Sequence, residues 1–222
     1  MMDLIDSAAP TAVPAAIPAL PSRHQWLVGA RWATWVGLVF FGLYPALNGL
    51  TARRAMRWRL YLDVELALPF VPELVWAYLS MYLLFVLPPF FLSVAQLAML
   101  GRQLIAGTLL GALGFLLLPA ELGFLRSMPA QPPYDALFGL IFSLDAPHNL
   151  VPSLHVVFSA AIVLACAEVA PPAWRRALQG WLALIALSTV LVHQHHLLDV
   201  VAALLLVAVL RARWPLRVAD AV

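Results

Sequence analysis

The sequence predicts an all-α membrane protein, built as a six-transmembrane-helix bundle, and three observations predict it. First, 64% of the 222 residues are hydrophobic and only 11% are charged, with a mean hydropathy of +0.91. A soluble domain of this length carries about 25% charged residues, so the surface is too apolar for water and the surrounding solvent is expected to be lipid. Second, six apolar stretches recur at about the length that crosses a bilayer. Third, the polar residues are not spread evenly but gather near the ends of those stretches.

Each element follows in order. Residues 1–25 carry Asp3 and Asp6 and then four prolines, Pro10, Pro14, Pro18 and Pro21. A secretory signal needs a basic start and an unbroken apolar helix, so this stretch reads as a flexible tail. A six-helix membrane domain is placed at 26–214, and 215–222 are expected to form a short C-terminal tail. Spanning the hydrocarbon takes about 20 apolar residues per helix. The first span is expected at Trp32–Leu50, and the arginine-rich stretch after it (Arg53, Arg54, Arg57, Arg59) is expected to lie along the interface and meet lipid headgroups. The second span is placed at Leu74–Phe90, ended by Pro88-Pro89, and the third at Leu104–Leu118. A polar, proline-containing loop then runs from Pro119 to Asn149. The last three spans are Val151–Val169, Trp174–Val192 and Leu197–Leu210.

Net charge is +2, and all 13 basic residues are arginine. They are too scattered to form a nucleic-acid surface, so no nucleic acid is expected as a partner. With the N-terminus inside, eight arginines fall on the inner side (23, 31, 102, 175, 176, 211, 213, 217) and five on the outer side (53, 54, 57, 59, 126). That bias favours an N-in topology in a plasma (inner) membrane. Cys166, the single cysteine, cannot form an intrachain disulfide.

Five of the six histidines lie between 148 and 196, in two groups: Asp145-Ala-Pro-His148-Asn149-Leu-Val-Pro152-Ser153-Leu-His155 and His193-Gln-His195-His196-Leu-Leu-Asp199. His155 and His195 are about 40 residues apart, the length of two helical crossings, which returns the chain to the face it left. Both groups are therefore expected at one membrane surface. Four residues apart on a helix, His195 and Asp199 would share a face. A carboxylate on one imidazole nitrogen leaves the other with an outward lone pair, able to act as nucleophile or base. Ser153 and His155 sit at the start of a helix, where free N–H groups favour a bound anion.

These residues resemble a family. Pro152-Ser153-Leu-His155 followed by His195-x-x-x-Asp199 is similar to the second and third motifs of the type-2 phosphatidic acid phosphatase superfamily. Asp145-x-Pro-x-Asn149, Asp63-Val-Glu-Leu-Ala-Leu-Pro69-Phe-Val-Pro72 and Tyr78-Leu-Ser80-Met-Tyr82 resemble its branch that includes inositol phosphorylceramide synthases. The resemblance covers roughly residues 60–210. It implies an integral membrane phosphatase or phosphotransferase with an interfacial, extracytoplasmic active site, acting on a lipid phosphate or phospholipid without metal or other cofactor. It further implies that His195 attacks phosphorus, Asp199 orients it, His155 protonates the leaving oxygen and Ser153 holds the phosphate.

The chain also departs from that pattern. Ser188-Thr189 stands where the third motif has Ser-Arg, and the loop before the second motif offers Arg126-Ser-Met-Pro129 in place of a lysine and an Arg-Pro pair. A phosphate needs cationic partners, so Arg126 becomes the candidate clamp, with His193, His196 or His148 as helpers. The alternative for Arg126 is a pairing with Glu121. Asp145 and Asn149 read as residues that brace a turn. Two other functions remain open: a lipid-binding member with weak or lost catalysis, and a metal protein that uses His193 and His196 at i and i+3.

Overall fold

The computed structural model describes residues 20–216. It is all-helical, with nine α-helices among the described residues. They are α1 (Arg23–Ala52), α2 (Val75–Leu79), α3 (Met81–Leu84), α4 (Pro88–Phe91), α5 (Val94–Leu117), α6 (Tyr134–Leu144), α7 (Leu154–Val169), α8 (Pro172–Leu191) and α9 (Leu197–Arg213). Single 3-10 turns occupy Asp63–Ala67 and Pro72–Leu74.

Caps explain where the two longest helices begin. Ser22 Oγ accepts the Gln25 N–H at 3.2 Å while Gln25 Oε1 accepts the Ser22 N–H at 2.9 Å. Ser93 and Gln96 repeat that reciprocal box at the start of α5, so each pair satisfies two otherwise orphaned donors. These caps correct two boundaries. The first helix starts at Arg23, nine residues before the expected Trp32, and the third apolar stretch starts at Val94, ten residues before the expected Leu104. Most of the N-terminal tail, and residues 217–222, lie outside the described residues.

Two further expectations are corrected. The second stretch is not one helix but α2, α3 and α4 in succession. Its backbone tightens to i+3 bonds at Leu83, Val86, Leu87 and Phe90, Ser80 Oγ turns back onto the Ala77 carbonyl at 2.6 Å, and Pro88 and Pro89 lack the N–H groups that would continue an α-helix. The Pro119–Asn149 segment is not all loop, because α6 forms within it on an apolar run beginning at Tyr134. The arginine-rich stretch 53–59, expected along the interface, forms no helix. It leaves α1 as irregular backbone, and Trp58 pairs with the chain at 119–121.

α7 is the centre of the molecule, with thirteen of its sixteen residues buried. α5, α8 and α9 surround it, and α1 lies on α5. Glycines let α5 approach: a Cβ on Gly101 would meet the Trp32 ring at 2.3 Å, and one on Gly111 would meet Leu154 at 2.6 Å. Small residues commonly permit such close helix contacts in membranes. Two helices, α1 and α5, are long and apolar enough to cross a membrane. The bundle has two ends. At one, Gln25 bonds the carbonyls of Pro89 and Leu92, Gln103 bonds that of Trp214 at 2.7 Å, and Arg211 pairs with Glu168. The histidine groups lie at the other.

Candidate functional site

α8 ends at Leu191, and its last carbonyls recapture the chain. Thr189 O accepts the N–H groups of both Gln194 and His195 at 3.0 Å. His193 closes this turn in the left-handed region with φ of 55°, an uncommon conformation for a residue with a Cβ. His196 then caps α9, and Asp199 is the third residue of that helix. Asp199 Oδ2 accepts the His196 N–H at 2.8 Å and lies 3.1 Å from His195 Nδ1. His195 and Asp199 do meet, but His195 precedes the helix, so a cap and not a shared helical face brings them together. Both are almost wholly buried. With Nδ1 held by the carboxylate, Nε2 is the nitrogen left to react.

The second group joins the first through backbone. The Ser153 N–H donates to the Asp199 carbonyl at 3.1 Å, so both histidine groups occupy one end of the bundle. Ser153 caps α7, its hydroxyl accepting the Val156 N–H at 3.4 Å, and it is fully buried. The hydroxyl proton is not committed by that bond. His155 follows in the first turn of α7. Its ring stacks on Tyr78 with centroids 3.9 Å apart, and Nε2 donates to the Tyr78 carbonyl at 2.6 Å.

Arg126 does not point into solvent. Its guanidinium carbon lies 4.8 Å from the centre of the Phe142 ring, and Nε is buried. Burial holds the guanidinium below its usual range, against the opposing fields of Asp145, Tyr44 and Tyr78. It does not pair with Glu121, which accepts the Tyr61 hydroxyl at 3.3 Å. Asp145 accepts a short hydrogen bond from the Tyr44 hydroxyl. Burial pushes the Asp145 carboxyl up, while Tyr44, His195 and Arg126 pull it down. Asp145 thus lies in the field of both His195 and Arg126. Asn149, by contrast, is a brace, accepting from Thr51 at 2.9 Å and donating to Asn48 at 2.5 Å.

His196 is committed elsewhere, and His193 is held through one nitrogen. The His193 ring stacks on Phe124, and its Nε2 donates to the Leu68 carbonyl at 3.2 Å. His196 lies between Phe124 and Tyr61. Its Nε2 accepts the Gly123 N–H at 3.1 Å, which leaves the proton on Nδ1, 3.2 Å from Glu65 Oε2. Burial lowers the pKa of His196 despite the neighbouring Asp199 and Glu65, in keeping with a neutral ring. Both nitrogens of His196 are occupied, which removes half of the pair that the metal reading needs. Among the described residues no group of three or more His, Cys, Asp or Glu is arranged to hold a metal ion.

Glu65 has no functional role in the sequence reading, yet it organises this end. It is buried, and its carboxylate also accepts the N–H groups of Leu197 at 2.8 Å and Leu62 at 3.0 Å. Burial raises its pKa, but those donors and His196 together hold it below the usual value. The signal was available in part, since a glutamate inside Asp63-Val-Glu-Leu-Ala-Leu-Pro69 is costly in apolar surroundings without partners. Comparison with family models, curated proteins and solved structures finds no match to this chain.

Proposed function

We propose that the chain is a multi-pass integral membrane enzyme, a lipid phosphatase or phosphotransferase similar to the type-2 phosphatidic acid phosphatases, that cleaves a phosphate ester through a phosphohistidine. The observation that carries this reading is His195 Nδ1 held 3.1 Å from Asp199 Oδ2 at the same end as the Ser153 cap and His155. The carboxylate stabilises the imidazolium that forms as His195 Nε2 attacks phosphorus. Ser153 donates its hydroxyl proton to a phosphate oxygen, and Arg126 offsets charge on the others. As the ester bond breaks, His155 turns its Nε2–H from the Tyr78 carbonyl to the leaving lipid oxygen. Water or an alcohol then takes the phosphoryl group.

Six passes of this bundle through the membrane fit the helices. α1, α5 and α8 run toward the histidine end, and the α2–α4 segment, α7 and α9 run back. Large apolar side chains face outward along them, among them Trp35, Phe41, Leu109, Leu187, Leu205 and Val209. A monomer in water rarely exposes that much apolar surface. The N-in topology places His195 on the extracytoplasmic side of the plasma (inner) membrane.

One observation favours a second reading, a lipid-binding member with weak catalysis. Asp145 stands beside Arg126 and offsets the charge that a dianionic phosphate needs. The reduced positive field suits a phosphodiester, which carries one charge fewer. A screen of purified protein against lipid phosphates and phosphodiesters, with and without chelator, tests the choice. We expect turnover that survives EDTA. Loss on chelation with recovery on one added metal would favour the metal reading, and no turnover of any substrate would favour the inactive one.

A further inference from the structure

Among the described residues, buried side-chain nitrogens or oxygens without a hydrogen-bond partner are few. Three of them belong to basic residues at the histidine end: Arg57 Nε, Arg126 Nε and His148 Nδ1. Arg57 Nη2 lies 3.3 Å from His148 Nε2 and also donates to the Ala52 carbonyl at 3.1 Å. A guanidinium only donates, so His148 Nε2 accepts and its proton sits on Nδ1. All three unpartnered atoms are therefore N–H donors. The Arg126 guanidinium acts on the same imidazole through its field: burial, Arg57 and Arg126 lower the pKa of His148. The Pro147 carbonyl opposes that shift without giving Nδ1 a hydrogen bond of normal geometry.

The cluster sits on fixed backbone. The Trp58 N–H bonds Pro119 O at 2.8 Å, the Glu121 N–H bonds Trp58 O at 3.0 Å, and the Ala120 N–H bonds His148 O at 3.3 Å. These bonds tie the residue after Arg57, the start of the Arg126 loop and His148 itself together. Neither Arg57 nor Arg126 is in an ion pair, whereas Arg59 pairs with Asp63 and Arg211 with Glu168. Asp145 is the carboxylate that acts on the cluster, from the Arg126 side. Buried donors without partners call for an acceptor, and guanidinium and imidazole donors suit an oxyanion.

We propose that Arg57, His148 and Arg126 together bind a phosphate group, of a lipid or of free phosphate, and that Arg57 and His148 supply cationic and donor groups that the motifs around His155 and His195 lack. The link to catalysis rests on the function proposed above; the binding itself does not. Arg57 is accordingly a ligand-binding residue and not a general contact for lipid headgroups.

The test uses full-length protein in maltoside micelles, with histidine side chains labelled with nitrogen-15 and the His148 signals assigned through His148→Gln. Sodium phosphate and micellar phosphatidic acid are titrated separately into the wild type and into His195→Ala, which binds without turning over. Both probes are expected to move the His148 Nδ1 signal in both proteins. Arg57→Gln should weaken the titration by about tenfold, and Arg57→Lys, which keeps the charge and loses the fork, should fall between. Movement with phosphatidic acid alone identifies the lipid as the source, and movement with sodium phosphate alone identifies free phosphate. If neither probe moves the signal, or if Arg57→Gln and Arg57→Lys both titrate like the wild type, the cluster is not an anion site. A wild type that binds phosphate yet turns over no lipid would contradict the enzyme while leaving the site intact.

Discussion

One oxygen of Asp199 serves two partners, the His196 N–H and His195 Nδ1, so the orientation of the proposed nucleophile depends on how α9 begins. That beginning is fixed by Glu65, which accepts from the His196 ring and the Leu197 N–H. Removing its carboxylate leaves buried donors unpaired, and Glu65→Ala should cost roughly 1–3 kcal/mol for each donor left without a partner. The pH dependence of stability follows from two lowered pKa values. Glu65 is held below the ordinary carboxyl value of about 4.5, so its stabilisation is present above about 4.5 and is lost as pH falls through its folded pKa. His196 is held below 6.5, so its preference for neutrality is fully favourable above about 6.5 and erodes as pH falls toward its own folded value. Thermal unfolding followed from pH 7 to pH 3 should therefore show stability falling in acid, with a shallower decline near pH 4 in Glu65→Gln. An unchanged acid profile in that variant would contradict the role given to Glu65. At this scale the sequence was informative where residue type carries chemistry. That His195, Asp199, Ser153 and His155 lie at one end of the bundle was legible from spacing. Glu65, Asp145 and the Arg57–His148 contact were not, because their partners lie roughly 90 to 130 residues away and no local pattern encodes such pairings.

Helix packing decides whether the two histidine groups stay together. α5 passes so close to the turn before α7 that a Cβ on Gly114 would meet the Val151 carbonyl oxygen at 2.7 Å and Pro152 at 2.9 Å. Backbone cannot yield as a side-chain tip can, so Gly114→Ala should push Val151–Pro152 away from α5. Ser153, two residues on, would lose its alignment with the Asp199 carbonyl. We expect a loss of about 1–3 kcal/mol, the usual scale of overpacking, with a drop in turnover larger than that of Gly139→Ala, where an added Cβ meets nothing within 4 Å. Equal behaviour of the two variants would show that this approach does not matter to the site. The apolar stretches themselves were legible because burial in lipid or in a core demands long hydrophobic runs. Their interruptions were not. The break into α2, α3 and α4 and the hidden helix α6 depend on proline placement and on tertiary contacts with Phe70 and Val192, which hydropathy does not register.

For the molecule as a whole, the proposed bundle sets one end against the outer aqueous phase. Leu125, beside Arg126, is 85% exposed there, whereas Cys166 is buried within α7. In intact cells a membrane-impermeant maleimide should label Leu125→Cys and leave the native Cys166 untouched. Labelling that requires broken cells would reverse the topology. Legibility ends at this scale in another way: arginine counts favour one orientation, but no spacing of residues names the lipid or the acceptor. The central claim is that His195 carries the phosphoryl group, and trapping that group tests it most directly. Protein mixed with phosphorus-32-labelled lipid phosphate and quenched in base should retain acid-labile, base-stable label on His195. Asp199→Asn should retain less, with a rate lowered by up to about 10⁴-fold if the histidine is left misoriented, and His195→Ala should retain none. Label that persists in His195→Ala, or turnover by that variant at a substantial fraction of the wild-type rate, would contradict the account.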